Sequence, residues 1–96
     1  MKVNWSNNAT SHLLAIYEYI AYTSQVYATT TIDRLTKRST QIASFPMSGR
    51  MVPEVEKGQI REIIEGSYRI IYHIGPDQIE VLAVLHGAQD FHWPAA

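Results

Sequence analysis

The sequence predicts an α+β domain of order β-α-α-β-β-β, with an N-terminal strand and an antiparallel helical hairpin packed on a small, mainly antiparallel sheet. Three observations carry this. Two consecutive segments repeat apolar residues at steps of three and four, with a short polar break between them. The last third alternates apolar and polar residues in short runs separated by glycine-containing turns. One of those runs, Ile-Glu-Val-Leu-Ala-Val-Leu at 79–85, is apolar on both parities after Glu80, as an interior strand would be.

Met1, Val3 and Trp5 alternate with Lys2 and Asn4, the pattern of a short half-buried strand. Ser6 to Asn8 can cap a helix, because short polar side chains accept from the unpaired amides of a first turn. Leu13, Ile16, Tyr17, Ile20 and Ala21 then place helix one over 7–22. Thr23 and Ser24 offer the next cap. Ala28, Ile32, Leu35, Ser39 and Ile42 form one stripe of helix two, over 25–44, with Arg34, Lys37 and Arg38 away from it. The run Thr29-Thr30-Thr31 is its weak point, since β-branched residues lose rotamer freedom in a helix.

Phe45-Pro46 ends helix two, and Ser48-Gly49 with Pro53 reads as a loop. A second strand follows at 59–65 and Gly66-Ser67 turns the chain. In the third strand, Tyr68, Ile70, Tyr72 and Ile74 share one face, with Arg69, Ile71 and His73 on the other. Gly75-Pro76-Asp77 turns into the fourth strand at 79–85. The whole chain, 1–96, reads as a single domain whose tail from Gly87 is loosely held.

A 96-residue chain that is 46% hydrophobic has a modest core, hiding about two thirds of its unfolded surface. With no cysteine, disulfides and thiol chemistry are excluded. His12, His73, His86 and His92 lack the close spacing of a metal site, so neither metal nor cofactor is expected. No apolar run is long enough for a membrane span, and Met1 to Ser11 lacks the apolar stretch of a secretory signal, so a cytoplasmic protein is expected. The net charge of −1 argues against general attraction to nucleic acid, and no sequence-specific nucleic-acid binding is expected. Charge is nonetheless unevenly placed: seven of the eight Lys and Arg lie between Arg34 and Arg69, and none follows.

Five stretches, in order, carry a resemblance: Ile16-Tyr17-Glu18-Tyr19-Ile20; Phe45-Pro46-Met47-Ser48-Gly49-Arg50; Ile60-Arg61-Glu62-Ile63-Ile64; Ser67-Tyr68-Arg69-Ile70-Ile71-Tyr72; and Val84-Leu85-His86-Gly87-Ala88-Gln89-Asp90. Together they span nearly the whole chain. The chain resembles the RelE/ParE superfamily of bacterial toxins from type II toxin–antitoxin systems, and its ParE-like branch in particular. The resemblance implies a toxin neutralised by direct binding of its antitoxin in a hetero-oligomer. ParE-like members are associated with inhibition of DNA gyrase, whereas RelE-like members cut messenger RNA on the ribosome.

Metal-free RNA cleavage needs a base for the 2′-hydroxyl, an acid for the leaving oxygen and cations for the developing phosphate charge. If the chain is a nuclease, the resemblance makes Glu54, Arg69 and His86 the catalytic candidates. Arg69 matches the third-strand arginine, and Glu54 resembles a carboxylate that some members use as base. The last strand and tail supply no cation, however, and Gln89 stands where ParE-like members usually continue with arginine. His86 reads first as a strand-end residue bonding the backbone beside Gly87, ahead of any catalytic part, and His92 is incidental.

The chain is therefore expected to be a gyrase inhibitor rather than a nuclease, with a ribosome-dependent endonuclease and a non-toxic antitoxin-binding member as alternatives. Target-binding candidates are Arg50, Arg61, Tyr68, Arg69 and His86; Arg69 can equally pair with Glu62 or Glu80 across strands. Because one sheet face lacks a helix, antitoxin-binding candidates are Tyr17 and Ile20 on helix one, Ile71 on that face, and Phe91 and Trp93 in the tail. Leu82 and Val84, placed on the same face as Ile71, are read as closing the chain's own core.

Overall fold

The computed structural model describes residues 1–92. The chain runs β1 (Lys2–Trp5), α1 (Asn7–Ala21), α2 (Gln25–Ser44), a short 3-10 turn (Pro46–Ser48), β2 (Arg50–Met51), β3 (Ile60–Glu65), β4 (Tyr68–Ile74) and β5 (Gln78–His86). Both helices start at serine caps. Ser6 Oγ accepts from the Ala9 amide at 3.0 Å and Ser24 Oγ from the Tyr27 amide at 3.1 Å. The threonine run is held within α2: Thr29, Thr30 and Thr31 donate their hydroxyls to the carbonyls of Gln25, Val26 and Tyr27, four residues back.

The five strands form one mixed sheet in the order β1-β5-β4-β3-β2. β1 lies parallel to β5, and every other neighbouring pair is antiparallel. β5 is thus interior, as its apolar content predicts. The helices pack on one face, where Leu35 and Ile42 meet Ile63, Ile70, Tyr72, Ile79 and Val81, with Ala9 from α1.

Two features depart from the sequence reading. Arg50 and Met51, expected in a loop, pair with Glu62 and Arg61 as a fifth, edge strand. Two residues are too few for an alternation to register. The second departure is a β-bulge. Ile71 pairs with Ala83 but Tyr72 with Val81, so Leu82 is the extra residue. Beyond it the parity of β5 inverts. Leu82 joins Ile71 on the face away from the helices, while Val84 joins the helix-side core, so Ile71, Leu82 and Val84 do not share a face. Both Leu82 and Val84 are buried in the chain's own core, as expected.

A bulge leaves ladder groups unpaired, and α1 satisfies them. Ser6 Oγ and Asn8 Nδ2 donate to the Leu82 carbonyl at 3.3 and 3.2 Å. The Val84 amide donates to His12 Nδ1 at 3.0 Å. The start of the first helix thereby fits the irregularity in the last strand.

The face opposite the helices is not left open. Val52, Ile60, Ile71, Leu82, Ala83 and Phe91 form a second buried cluster there, edged by Val55 and Leu85. The loop after β2 supplies Val52 and Val55, and the tail supplies Phe91. Among the described residues, no helix is long and apolar enough to cross a membrane.

Candidate functional site

The cluster that fixes this covered face centres on Arg69. Its β4 position turns it away from the helices, as the strand parity predicts, but it is buried rather than displayed. Arg69 Nε donates to Glu62 Oε1 at 2.8 Å. Its two terminal nitrogens donate to both oxygens of Glu54, each at 2.8 Å, and Nη1 also donates to the Gln89 carbonyl at 2.9 Å. One planar guanidinium therefore ties together β3, the loop after β2 and the tail.

Each partner is itself held. The Glu62 side chain, with no solvent exposure, also accepts from Arg50 Nε. Glu54 Oε2 accepts the Phe91 amide at 3.0 Å, which seats the Phe91 ring over the sheet. Gln89 turns back so that its Oε1 accepts the His86 amide at 2.8 Å. Between Gly87 and Phe91 the tail thus bonds to the body at the Gln89 carbonyl and the Phe91 amide. No buried polar side-chain atom among the described residues lacks a partner. The electrostatics follow the geometry. Hydrogen bonding to Arg69, opposed by burial and aided by the Phe91 amide, holds the Glu54 carboxyl at about 2. Arg69 in turn holds its proton more tightly than a free guanidinium, first through its bond to Glu54.

The other candidates occupy different surroundings. Arg50 is exposed and pairs with Glu62. Arg61 braces the loop from outside, with Nε donating to the Gly58 carbonyl at 2.9 Å and Nη1 to the Gly49 carbonyl at 3.1 Å. Tyr68 and His86 face each other at the ends of β4 and β5, edge to face, with ring centroids 5.7 Å apart. Burial, then the nearby Tyr27 and Tyr19, push the Tyr68 phenol up. Of the partner candidates, Ile71 and Phe91 are buried within the chain, Tyr17 is half-buried on α1, and Ile20 lines a cleft at the tip of the helical hairpin. Trp93 lies outside the described residues.

Three residues with clear work escaped the sequence reading. His12 serves the bulge, a role with no local signature. Gln89 reads as a missing cation but acts through its carbonyl and amide. Gly49 approaches the Tyr72 phenol, as described below.

A protein-family model for the ParE toxin of the type II toxin–antitoxin system parDE matches residues 3–91. The chain belongs to the ParE toxin family. Its fold is similar to a solved structure described as the chromosomal ParDE TA system from P. aeruginosa, with a TM-score of 0.74 at 18% identity, covering 90% of this ParE chain and 95% of that one. The search of curated proteins found no match. The β-α-α-β-β-β order read from the sequence is thus that of ParE, with the short β2 added at the sheet edge. In this ParE chain the five stretches that carried the resemblance fall on α1, the β2 approach, β3, β4 and the end of β5. Four of them border the Arg69 cluster, and the first lies on the helical hairpin.

Proposed function

We propose that this ParE toxin acts in the cytoplasm by docking on DNA gyrase and blocking it, and that its antitoxin neutralises it by binding it directly. The observation that carries the reading is the state of the two groups a nuclease would need most. Glu54 is held at about 2 by Arg69, so near neutral pH it is a feeble acceptor for a ribose hydroxyl proton, far from the matched pKa that general-base catalysis favours. Arg69 spends four donor contacts on Glu54, Glu62 and Gln89, which suits a group that positions a surface rather than one that neutralises a phosphate. On this reading Arg69 shapes the loop and tail, and Arg50, Arg61, Tyr68 and His86 contact the target from the rim.

The test uses the purified chain with and without its antitoxin. The expected result is inhibition of gyrase supercoiling in the absence of ribosomes, relieved by antitoxin, with transcripts in a translating extract left intact. Codon-edge cleavage of those transcripts with untouched supercoiling overturns the gyrase reading in favour of a nuclease. Neither effect, with antitoxin still bound, marks a non-toxic member.

A further inference from the structure

Arg50 stands apart from the other exposed cations. Lys2, Arg34 and Lys37 are exposed and make no ion pair among the described residues, so no carboxylate orients them. The Arg50 side chain is 62% exposed, yet it is held at both ends. At the backbone, β2 pairs it with Glu62. The residue before it is pinned twice, because the Gly49 amide meets the Tyr72 phenol and the Gly49 carbonyl accepts from Arg61 Nη1. At the tip, Arg50 Nε donates to Glu62 Oε2, and Arg69 Nε fixes the other oxygen of that carboxylate. The two terminal nitrogens of Arg50 have no partner among the described residues. They form an exposed donor fork on a side chain that is already in place.

An apolar side chain lies beside the fork. Ile64 follows Glu62 by two residues on β3 and so shares its face of the sheet. The β2 pairing stops at Glu62, so among the described residues no strand neighbours Ile64 on its outer side. Ile64 is 45% exposed and belongs to neither buried cluster. The local charge is also uneven. Arg50, Arg61 and Arg69 face only Glu54 and Glu62, and Arg61 bonds backbone carbonyls rather than a carboxylate. Three guanidiniums against two carboxylates leave one positive charge in excess at this edge.

Resting on the proposed docking on gyrase, we infer that Arg50 and Ile64 form one anchor point of the target interface, where Arg50 grips a single carboxylate of the target protein through both terminal nitrogens and Ile64 packs against an apolar side chain beside that carboxylate. Charge complementarity selects this occupant, since one carboxylate matches an excess of one positive charge. Paired donors in a plane suit its two oxygens. An arginine already held by Glu62 gives up little rotamer freedom on binding, which is where an ordinary exposed arginine loses affinity. A nucleic-acid backbone brings a row of charges instead. It would meet the carboxylates of Glu54 and Glu56 in the adjoining loop, on a chain whose net charge is −1.

The experiment measures binding of the purified chain to purified gyrase, with and without duplex DNA and at low and high salt, for Arg50→Lys and Ile64→Thr. Lysine keeps the charge and can still meet Glu62 but has no fork, so Arg50→Lys is expected to weaken binding roughly tenfold. Because the charge is unchanged, that factor should be similar at either salt. Ile64→Thr keeps a β-branched residue in the strand and is expected to weaken binding roughly fivefold, mainly through faster dissociation. Both losses are expected without DNA as well as with it. The two side chains are exposed, so unchanged thermal midpoints confirm that the fold is intact. If the wild-type chain binds gyrase and both variants bind as tightly, the inference is overturned while docking on gyrase stands. No binding by the wild-type chain overturns the gyrase reading itself. A loss seen only when DNA is present puts a phosphate in the fork and overturns the inference. Loss of antitoxin affinity or of self-association in the variants, with gyrase affinity unchanged, gives the anchor another occupant and overturns it too.

Discussion

The amide of Gly49 donates to the phenol oxygen of Tyr72 at 3.1 Å, and that phenol donates in turn to the Pro46 carbonyl. A Cβ on Gly49 would lie 2.4 Å from the phenol oxygen and 2.8 Å from the Glu62 carbonyl. Backbone and a buried ring cannot both give way. Gly49→Ala is therefore expected to destabilise the chain by about 2–3 kcal/mol, and Tyr72→Phe by about 1–2 kcal/mol through two unmet backbone groups. Denaturant melts of both single variants and of the double variant check this. The double should cost less than the sum, because removing the hydroxyl relieves part of the clash; strict additivity would refute the contact as the cause.

Arg69 and its carboxylates make an asymmetric prediction. Arg69→Leu leaves the Glu62 side chain, which has no solvent exposure, with only the exposed Arg50 as partner and deprives Glu54 and the Gln89 carbonyl of their donor, and should cost about 3–5 kcal/mol. Glu54→Gln should cost less, about 1–2 kcal/mol, because its side chain is a quarter exposed and the amide can still accept one bond from Arg69. Arg69→Lys should behave more like leucine than like wild type, since a single ammonium cannot span Glu62, Glu54 and the Gln89 carbonyl together. Equilibrium unfolding ranks the three.

Acid should loosen the loop and tail. The Glu54 carboxyl lies at about 2 in the folded chain against an ordinary 4.5, so the unfolded chain takes up its proton first. The stabilisation is complete above about 4.5 and is lost as pH falls toward 2. Amide exchange at Phe91 should accelerate over this window, and Glu54→Gln should remove the dependence. Acceleration that survives in the variant would point to a different carboxylate.

A second, milder titration belongs to His12. Burial holds its imidazole below the ordinary 6.5, and protonation of Nδ1 would break its bond from the Val84 amide. Its contribution is full above about 6.5 and declines as pH falls from there toward the lowered folded value. His12→Ala should destabilise by about 1–2 kcal/mol at neutral pH, leaving the Val84 amide unmet, and should flatten stability between pH 7 and 5. Thermal midpoints across that range decide it.

Much of the fold was legible because its signals are local. Serine caps, the stripe Ala28, Ile32, Leu35, Ser39 and Ile42, and the parity of β4 each depend on residues within a turn or two of one another. What escaped depends on distant pairs. An apolar β5 is compatible with a regular strand or a bulged one, and only the partners of Leu82 on α1 distinguish them. Glu62 was legible as a partner of Arg69 because strand pairing sets their register, while Glu54 reaches Arg69 from a loop of irregular path. The candidate site was read as surface chemistry for the same reason. A lone arginine on an open sheet face reads as a contact residue, and the Val52 and Phe91 cover that buries it has no periodic signature.

The first strand lies beside the last, and the opening turns of α1 complete the bulge in β5 across more than 70 residues of chain. During synthesis, therefore, the amino end waits for a partner that leaves the ribosome late, and the central sheet closes only when β5 is free to insert between β1 and β4. A translation product cut short before Gln78 would lack the strand that joins its two halves and could not reach the native topology, so a cell that aborts translation of this message is left with an unfolded fragment for its proteases.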